Sequence, residues 1–282
     1  MERNIILIIG LVLAAFQISC KENKITMGTD ASFIKKENIL YAEDRNPELT
    51  MDLYTPEKHS RENKDVFIII HGGGWRGGNK SELTLFTLSM MKKFPHSVFA
   101  NINYRLASTS RYALPNQIDD IRTAMNYVEK AAGFQPRFIL LGNSAGGHLS
   151  MLYAYKFDPD KKVKAVINIV GPADLSDPGF KRYDDYSFLE NHLVDPKAAY
   201  GSPMAYASPV AWISSHSAPT LSYYGINDQV VPFTQKNILD SVLSKNKVLH
   251  ESYEFTGGHS DWYQGKNGEF LIGKVEAFLK KL

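Results

Sequence analysis

Cysteine is all but absent from this chain: of 282 residues, only Cys20 carries a thiol. No intramolecular disulfide can form, and a lone thiol so near the N-terminus is an improbable nucleophile. A dominant charge is lacking too. Lys+Arg 32 against Asp+Glu 30 leaves a formal net charge of +2, and no dense basic stripe with interleaved aromatics occurs, so nucleic acid is not an expected partner. Clustered His, Asp and Glu at ligand spacing are missing, so nothing in the spacing suggests a metal site. Flexible linker composition is missing from the middle of the chain, which argues for one domain. What is present is 44% hydrophobic and 22% charged residues, the balance of a globular chain able to bury a sizeable core without staples.

The N-terminus stands apart. "MERNIILIIGLVLAAFQISC" places Arg3 before an apolar stretch from Ile5 to Ile18, then small Ser19 before Cys20. The stretch is too short to span a bilayer comfortably and is followed by polar "KENKITMGTDAS", which reads as a signal peptide over residues 1–19. The segment resembles a bacterial lipoprotein signal, in which the cysteine becomes the lipidated first residue. "CKEN" is similar to the lysine-acid signal that follows this cysteine in surface-exposed lipoproteins of some Bacteroidetes. The resemblance implies export and a lipid anchor at Cys20; the polar composition that follows reads as a tether over residues 20–32, with the fold running over 33–282.

Beyond the tether the apolar pattern alternates in kind. "LTMDLYT" (49–55) has period two, as a half-buried antiparallel strand does, whereas "VFIII" (66–70), "VFANI" (98–102), "FILL" (138–141) and "AVINIV" (165–170) are nearly continuous apolar runs. Such runs suit strands covered on both faces. "TLSYYG" (220–225) and "ESYEF" (251–255) supply later strands. Between them lie helical spacings at Leu83, Phe86, Met90 and Phe94, at Ile118, Ile121, Met125 and Val128, at Leu239 and Leu243, and at Leu271, Val275 and Phe278. Strand and helix in alternation predict an α/β fold, a mostly parallel sheet of about eight strands flanked by helices. Residues 172–218 break the rhythm, rich in Pro, Tyr, Asp and Ser without a clean period. A long irregular excursion inside a compact domain is usually functional, and this one is expected to be a small cap. Tyr183, His192 and Trp212 within it are candidate substrate-binding residues, as are Trp75 and His148 outside it.

"GNSAGG" (142–147) satisfies Gly-x-Ser-x-Gly with Ser144 at its centre. The pattern alone is common. Its setting, between a strand ending at Leu141 and a helix face starting near Leu149, is that of a strand-turn-helix nucleophile elbow. A serine hydroxyl attacks only when a base takes its proton and a carboxylate orients that base. His259 in "TGGHSDW" lies past the last strand, where an α/β sheet presents functional groups at the carboxyl ends of its strands. Asp228 in "YGINDQVVP" follows the preceding strand, and Asp174 in "GPADL" is the rival acid. The negative oxygen of a tetrahedral intermediate needs N–H donors. "HGGGW" (71–75) follows the strand 66–70, so Gly73 and Gly74, with Ala145, are the expected oxyanion hole, and His71 scaffolds the loop.

Taken together, "HGGGW", "NYRLA" (103–107), "LPNQIDDIRTAMNYV" (114–128), "GNSAGGH" and "GINDQVVPF" (225–233) resemble the α/β-hydrolase superfamily, and within it the HGGGW-type carboxylesterases. That group takes in hormone-sensitive-lipase-like esterases, Bacteroidetes feruloyl and acetyl esterases and kynurenine formamidases. The resemblance implies two-step ester hydrolysis through an acyl-enzyme, with no metal and no organic cofactor needed. With the expected export, it implies acetyl, feruloyl or similar small acyl esters of carbohydrates as substrates. A formamidase-type amidase and a non-catalytic surface binding protein on a hydrolase fold are the alternatives.

Overall fold

Alternate residues of the apolar runs feed opposite faces of one sheet. The computed structural model describes residues 22–27, 31–58, 64–199 and 201–282. Its strands are β1 (Glu22–Met27), β2 (Ala31–Leu40), β3 (Thr50–Pro56), β4 (Asp65–Ile70), β5 (Val98–Ile102), β6 (Arg137–Asn143), β7 (Val163–Ile169), β8 (Thr220–Gly225) and β9 (His250–Phe255). They form a nine-stranded sheet in the order β1-β2-β3-β5-β4-β6-β7-β8-β9. The neighbours from β5 to β9 run parallel, while β1, β2 and β3 extend the β5 edge in antiparallel fashion.

In β4, Val66, Ile68 and Ile70 enter one core and Phe67 and Ile69 the other, as period-two geometry requires. The first core is covered by α2 (Asn116–Ala132), α3 (Ala145–Leu152) and α6 (Thr234–Lys245) through Ile118, Ile121, Leu149, Leu239 and Leu243. The second is covered by α1 (Thr84–Lys93) and α7 (Lys266–Leu279) through Phe86, Met90, Leu271, Val275 and Phe278. Each fully buried side chain of this kind stabilises the fold by roughly 1.5–3 kcal/mol. Gly133 in the left-handed conformation at φ 68° ends α2.

The expected tether is corrected. Residues 22–27 are strand β1, paired in register with β2 from Glu22↔Lys36 to Met27↔Ala31, so the sheet starts well before residue 33. The reason lies in the alternation within "ENKITM": Ile25 and Met27 lean on the second core, while Glu22, Lys24 and Thr26 face outward. Charged side chains on an outermost strand also discourage pairing with another chain. The expected signal peptide and Cys20 lie outside the described residues.

The excursion after β7 is a series of short turns. It holds a 3-10 turn over Pro178–Arg182, α4 (Tyr186–His192), α5 (Pro203–Ala207) and a second 3-10 turn over Pro209–Trp212. Phe180, Phe188, Leu189 and Ala207 sink into the first core, so this segment is anchored to the body of the domain.

Candidate active site

The crossing of β6, α3 and the loop after β4 explains the glycines around Ser144. A Cβ on Gly146 would sit 2.0 Å from the carbonyl oxygen of Ile70, and one on Gly142 would sit 2.3 Å from the carbonyl carbon of Gly146. No side chain fits either place. Ser144 itself takes φ 52° and ψ −122°, an expensive conformation for an L-residue. Its N–H donates to Ile169 O at 2.8 Å and its carbonyl accepts from His148 N at 3.0 Å, which fixes the turn. Trp75 at φ 63° and Val170 at φ 45° are further non-glycine residues with positive φ, both at the carboxyl-terminal edge of the sheet around Ser144. Three such residues at one edge of the sheet make it a candidate site, while Asn38, Arg45, Lys161 and Lys247, the other non-glycine residues with positive φ among the described residues, lie elsewhere.

The residues predicted from the sequence as nucleophile, base and acid meet. Ser144 Oγ lies 2.9 Å from His259 Nε2, and His259 Nδ1 lies 2.7 Å from Asp228 Oδ2. With Nδ1–H donating to the carboxylate, Nε2 is left with the lone pair that accepts the serine proton. Asp228 is buried at 7% exposure, and its other oxygen accepts the N–H groups of Val230 (2.8 Å) and Val231 (2.9 Å). The rival Asp174 is occupied elsewhere: its Oδ1 accepts Ser176 N at 2.9 Å and Ser208 Oγ at 3.2 Å within the excursion.

The HGGGW loop is built to approach Ser144 closely. Gly73 has φ 102° and a Cβ there would fall 2.3 Å from Gly77 O. Its carbonyl accepts Arg76 N and Gly77 N in a tight turn. Among the described residues, the N–H groups of Gly73, Gly74 and Ala145 have no protein acceptor. Ala145 opens α3, where the helix dipole adds positive potential. His71 Nδ1–H donates to Gly72 O at 2.7 Å, and its ring stacks on Tyr104 with centroids 4.3 Å apart. Tyr104 Oη in turn donates to His71 O at 3.0 Å. Burial lowers the His71 pKa to about 4, which keeps the ring neutral.

The five expected substrate-binding residues divide. Trp75 and Tyr183 line a small cavity at Ser144, together with Gly74, Pro172, Phe180, Val230 and Val231. His148 does not reach it. It is completely buried, accepts Trp75 Nε1–H at Nδ1 (3.1 Å) and donates from Nε2 to Ala207 O (2.7 Å), so both nitrogens are used within the protein. Desolvation lowers its pKa to about 4. His192 packs beside Phe188, ring centroids 5.5 Å apart. Trp212 lies away from Ser144, over Lys156 Nζ at 3.6 Å from the ring centroid, with Tyr206 on the same ammonium at 3.0 Å. Burial assigns His148 to packing, whereas His192 is half-buried and Trp212, 38% exposed, lines a separate surface pocket with Lys156 and Tyr206. Phe180 and Pro172 were missed as cavity residues, because a single apolar side chain in an aperiodic segment has no pattern to reveal it.

Among the described residues no group of three or more His, Cys, Asp or Glu side chains could hold a metal ion.

Residues 51–243 match the BD-FAE family. Among curated proteins, the chain is 30% identical over 241 residues to a probable carboxylic ester hydrolase, LipM, of Mycobacterium tuberculosis, covering 77% of this chain and 54% of that protein. It is 29% identical over 223 residues to esterase LipC of the same organism, covering 72% and 53%. The chain thus spans about half the length of these curated relatives. It is also 25% identical over 241 residues to the kynurenine formamidase avaC of Aspergillus versicolor, covering 71% of this chain and 84% of that protein. In fold it is similar to esterase B of Lactobacillus rhamnosis, with a TM-score of 0.71, 20% identity and coverage of 88% and 86%. A truncated carbohydrate esterase from gut microbiota superposes with a TM-score of 0.67 at 19% identity, covering 87% of this chain and 96% of that one. A nine-stranded, mostly parallel sheet with a strained serine at the turn from β6 to α3, and a family match across most of its length, make this chain a member of the BD-FAE family of α/β-hydrolases.

Proposed function

We propose that the protein is a serine carboxylesterase that removes acetyl, feruloyl or similar small acyl groups from carbohydrates. The observation that carries this reading is the unbroken chain Ser144 Oγ, His259 Nε2, His259 Nδ1, Asp228 Oδ2 at 2.9 and 2.7 Å, beside backbone N–H groups that lack an acceptor. Ser144 Oγ attacks the ester carbonyl as His259 Nε2 takes its proton. Asp228 holds the imidazole tautomer and stabilises the imidazolium. The negative oxygen rests on the N–H groups of Gly73, Gly74 and Ala145, each donor of this kind lowering the barrier by about 3–4 kcal/mol. The alcohol departs with the proton from His259. Water, deprotonated by the same histidine, then releases the acid and restores Ser144. The expected lipoprotein signal would place this chemistry outside the cytoplasm, anchored through Cys20, where acylated polysaccharide is at hand.

Kinship with esterases and the fold shared with a carbohydrate esterase support this reading. A formamidase activity is the second reading, favoured by the match that spans 84% of avaC. Acetylated xylan, feruloylated oligosaccharides and N-formylkynurenine, each incubated with the wild type and with Ser144→Ala, separate the two. Release of acetate or ferulate by the wild type alone supports the carbohydrate esterase. Turnover of the formamide alone assigns the amidase, and turnover of none leaves the non-catalytic binding protein.

A further inference from the structure

The cavity beside Ser144 measures about 10 Å³, the size that accommodates a single water. Its walls are Gly74 and Trp75 of the oxyanion loop, Val230 and Val231 of the turn that holds Asp228, and Pro172, Phe180 and Tyr183 of the excursion. His259 is not among them. The leaving oxygen must lie against His259 Nε2 to receive its proton, which favours the acyl group over the alcohol as the occupant of a cavity lined by Ser144 and not by His259.

The wall is held firmly. Asp177 Oδ1 accepts Gly179 N at 2.9 Å, and its Oδ2 accepts Thr234 Oγ1 at 2.6 Å and Gln235 Nε2 at 2.9 Å. Gln235 Oε1, completely buried with the rest of its side chain, accepts the N–H groups of Ala173 and Asp174 at 2.8 Å each. Phe180 N donates to Asp177 O and Tyr183 N to Phe180 O. The segment from residue 173 to Tyr183 is thereby clamped to the start of α6. Phe180 is 2% exposed. The Tyr183 hydroxyl lies over the oxyanion loop, 3.1 Å from where a Cβ on Gly74 would stand.

We propose that Phe180 and Tyr183, clamped through Asp177 and Gln235, limit the acyl group to two carbons, so that acetyl esters are cleaved and longer or aromatic acyl groups are excluded. This rests on the serine esterase reading and narrows it: feruloyl esters fall outside the substrate range. A pocket that rejects even one methylene discriminates by roughly 10- to 200-fold.

The test compares kcat/KM for 4-nitrophenyl acetate, 4-nitrophenyl butyrate and methyl ferulate. Wild type is expected to prefer acetate over butyrate by at least about 100-fold, the combined effect of two methylenes that have no room, and to leave methyl ferulate intact. Tyr183→Ala, which opens the wall, should bring the acetate-to-butyrate ratio within about tenfold, whereas Tyr183→Phe, which keeps the ring, should retain the wild-type ratio. Butyrate cleaved as fast as acetate by the wild type overturns the proposal, as does an unchanged ratio in a folded Tyr183→Ala. Absence of turnover with every ester would instead sink the esterase reading on which it rests, so the two failures are distinguishable.

Discussion

Acid should destabilise this protein through two histidines that the fold keeps neutral. His71 and His148 have pKa values lowered from 6.5 to about 4, in both cases chiefly by burial. Between these limits the unfolded chain binds a proton that the folded chain refuses, so each ring contributes fully to stability above pH 6.5 and the contribution is lost as pH falls toward 4. A span of that width corresponds to about 3 kcal/mol per ring, of which about 2.5 kcal/mol is gone by pH 4.5. The two together are comparable to a sizeable share of the 5–15 kcal/mol that holds a typical domain. His148→Gln isolates one of them, since an amide can still accept from Trp75 Nε1 and donate to Ala207 O but cannot take a proton. Urea unfolding of both proteins at pH 7 and pH 4.5 gives the measurement. The variant is expected to be less stable at pH 7 yet to lose about 2.5 kcal/mol less than the wild type on acidification. An equal loss in the two proteins would refute the claim that buried, neutral His148 sets part of the acid limit.

Asp228→Asn should lower kcat for 4-nitrophenyl acetate by about 10⁴-fold, through the wrong imidazole tautomer, whereas Asp174→Asn should act on stability; a loss from Asp174→Asn as large as that from Asp228→Asn would reverse the assignment of the acid. Gly146→Ala places a Cβ 2.0 Å from Ile70 O, where only backbone can yield, and should cost about 3 kcal/mol or more in urea unfolding. Trp212→Ala removes a ring from Lys156 and is expected to cost about 1–2 kcal/mol of stability while leaving kcat/KM for a small acetate ester within about twofold; a large rise in KM would return Trp212 to the substrate cleft.

The parallel part of the sheet was legible because "VFIII", "VFANI" and "FILL" are strands buried on both faces, for which continuous apolar sequence is the only solution. The meeting of Ser144, Asp228 and His259 was legible for a related reason: each follows a strand of a parallel sheet, and parallel strands deliver their carboxyl ends to one edge. Strand β1 was missed because only Ile25 and Met27 of its residues carry an apolar signal, and an edge strand needs no more. His148 was misassigned because a sequence displays residue types but not the direction in which a side chain leaves its helix. His148, one turn into α3, points inward between Trp75 and Ala207. The excursion was recognisable by its lack of period, and for the same reason its cavity residues, Phe180 and Pro172, were not.

The whole reaction turns on Ser144 as the nucleophile. The most direct test of that role is peptide mapping by mass after exposure to a small phosphonate ester, with turnover of 4-nitrophenyl acetate followed in parallel. One phosphonyl group is expected on the peptide containing Ser144, with loss of activity in step with labelling and a fall in kcat of about 10⁴-fold or more in Ser144→Ala. Labelling at another residue, or a Ser144→Ala protein that turns over acetate at the wild-type rate, would contradict it.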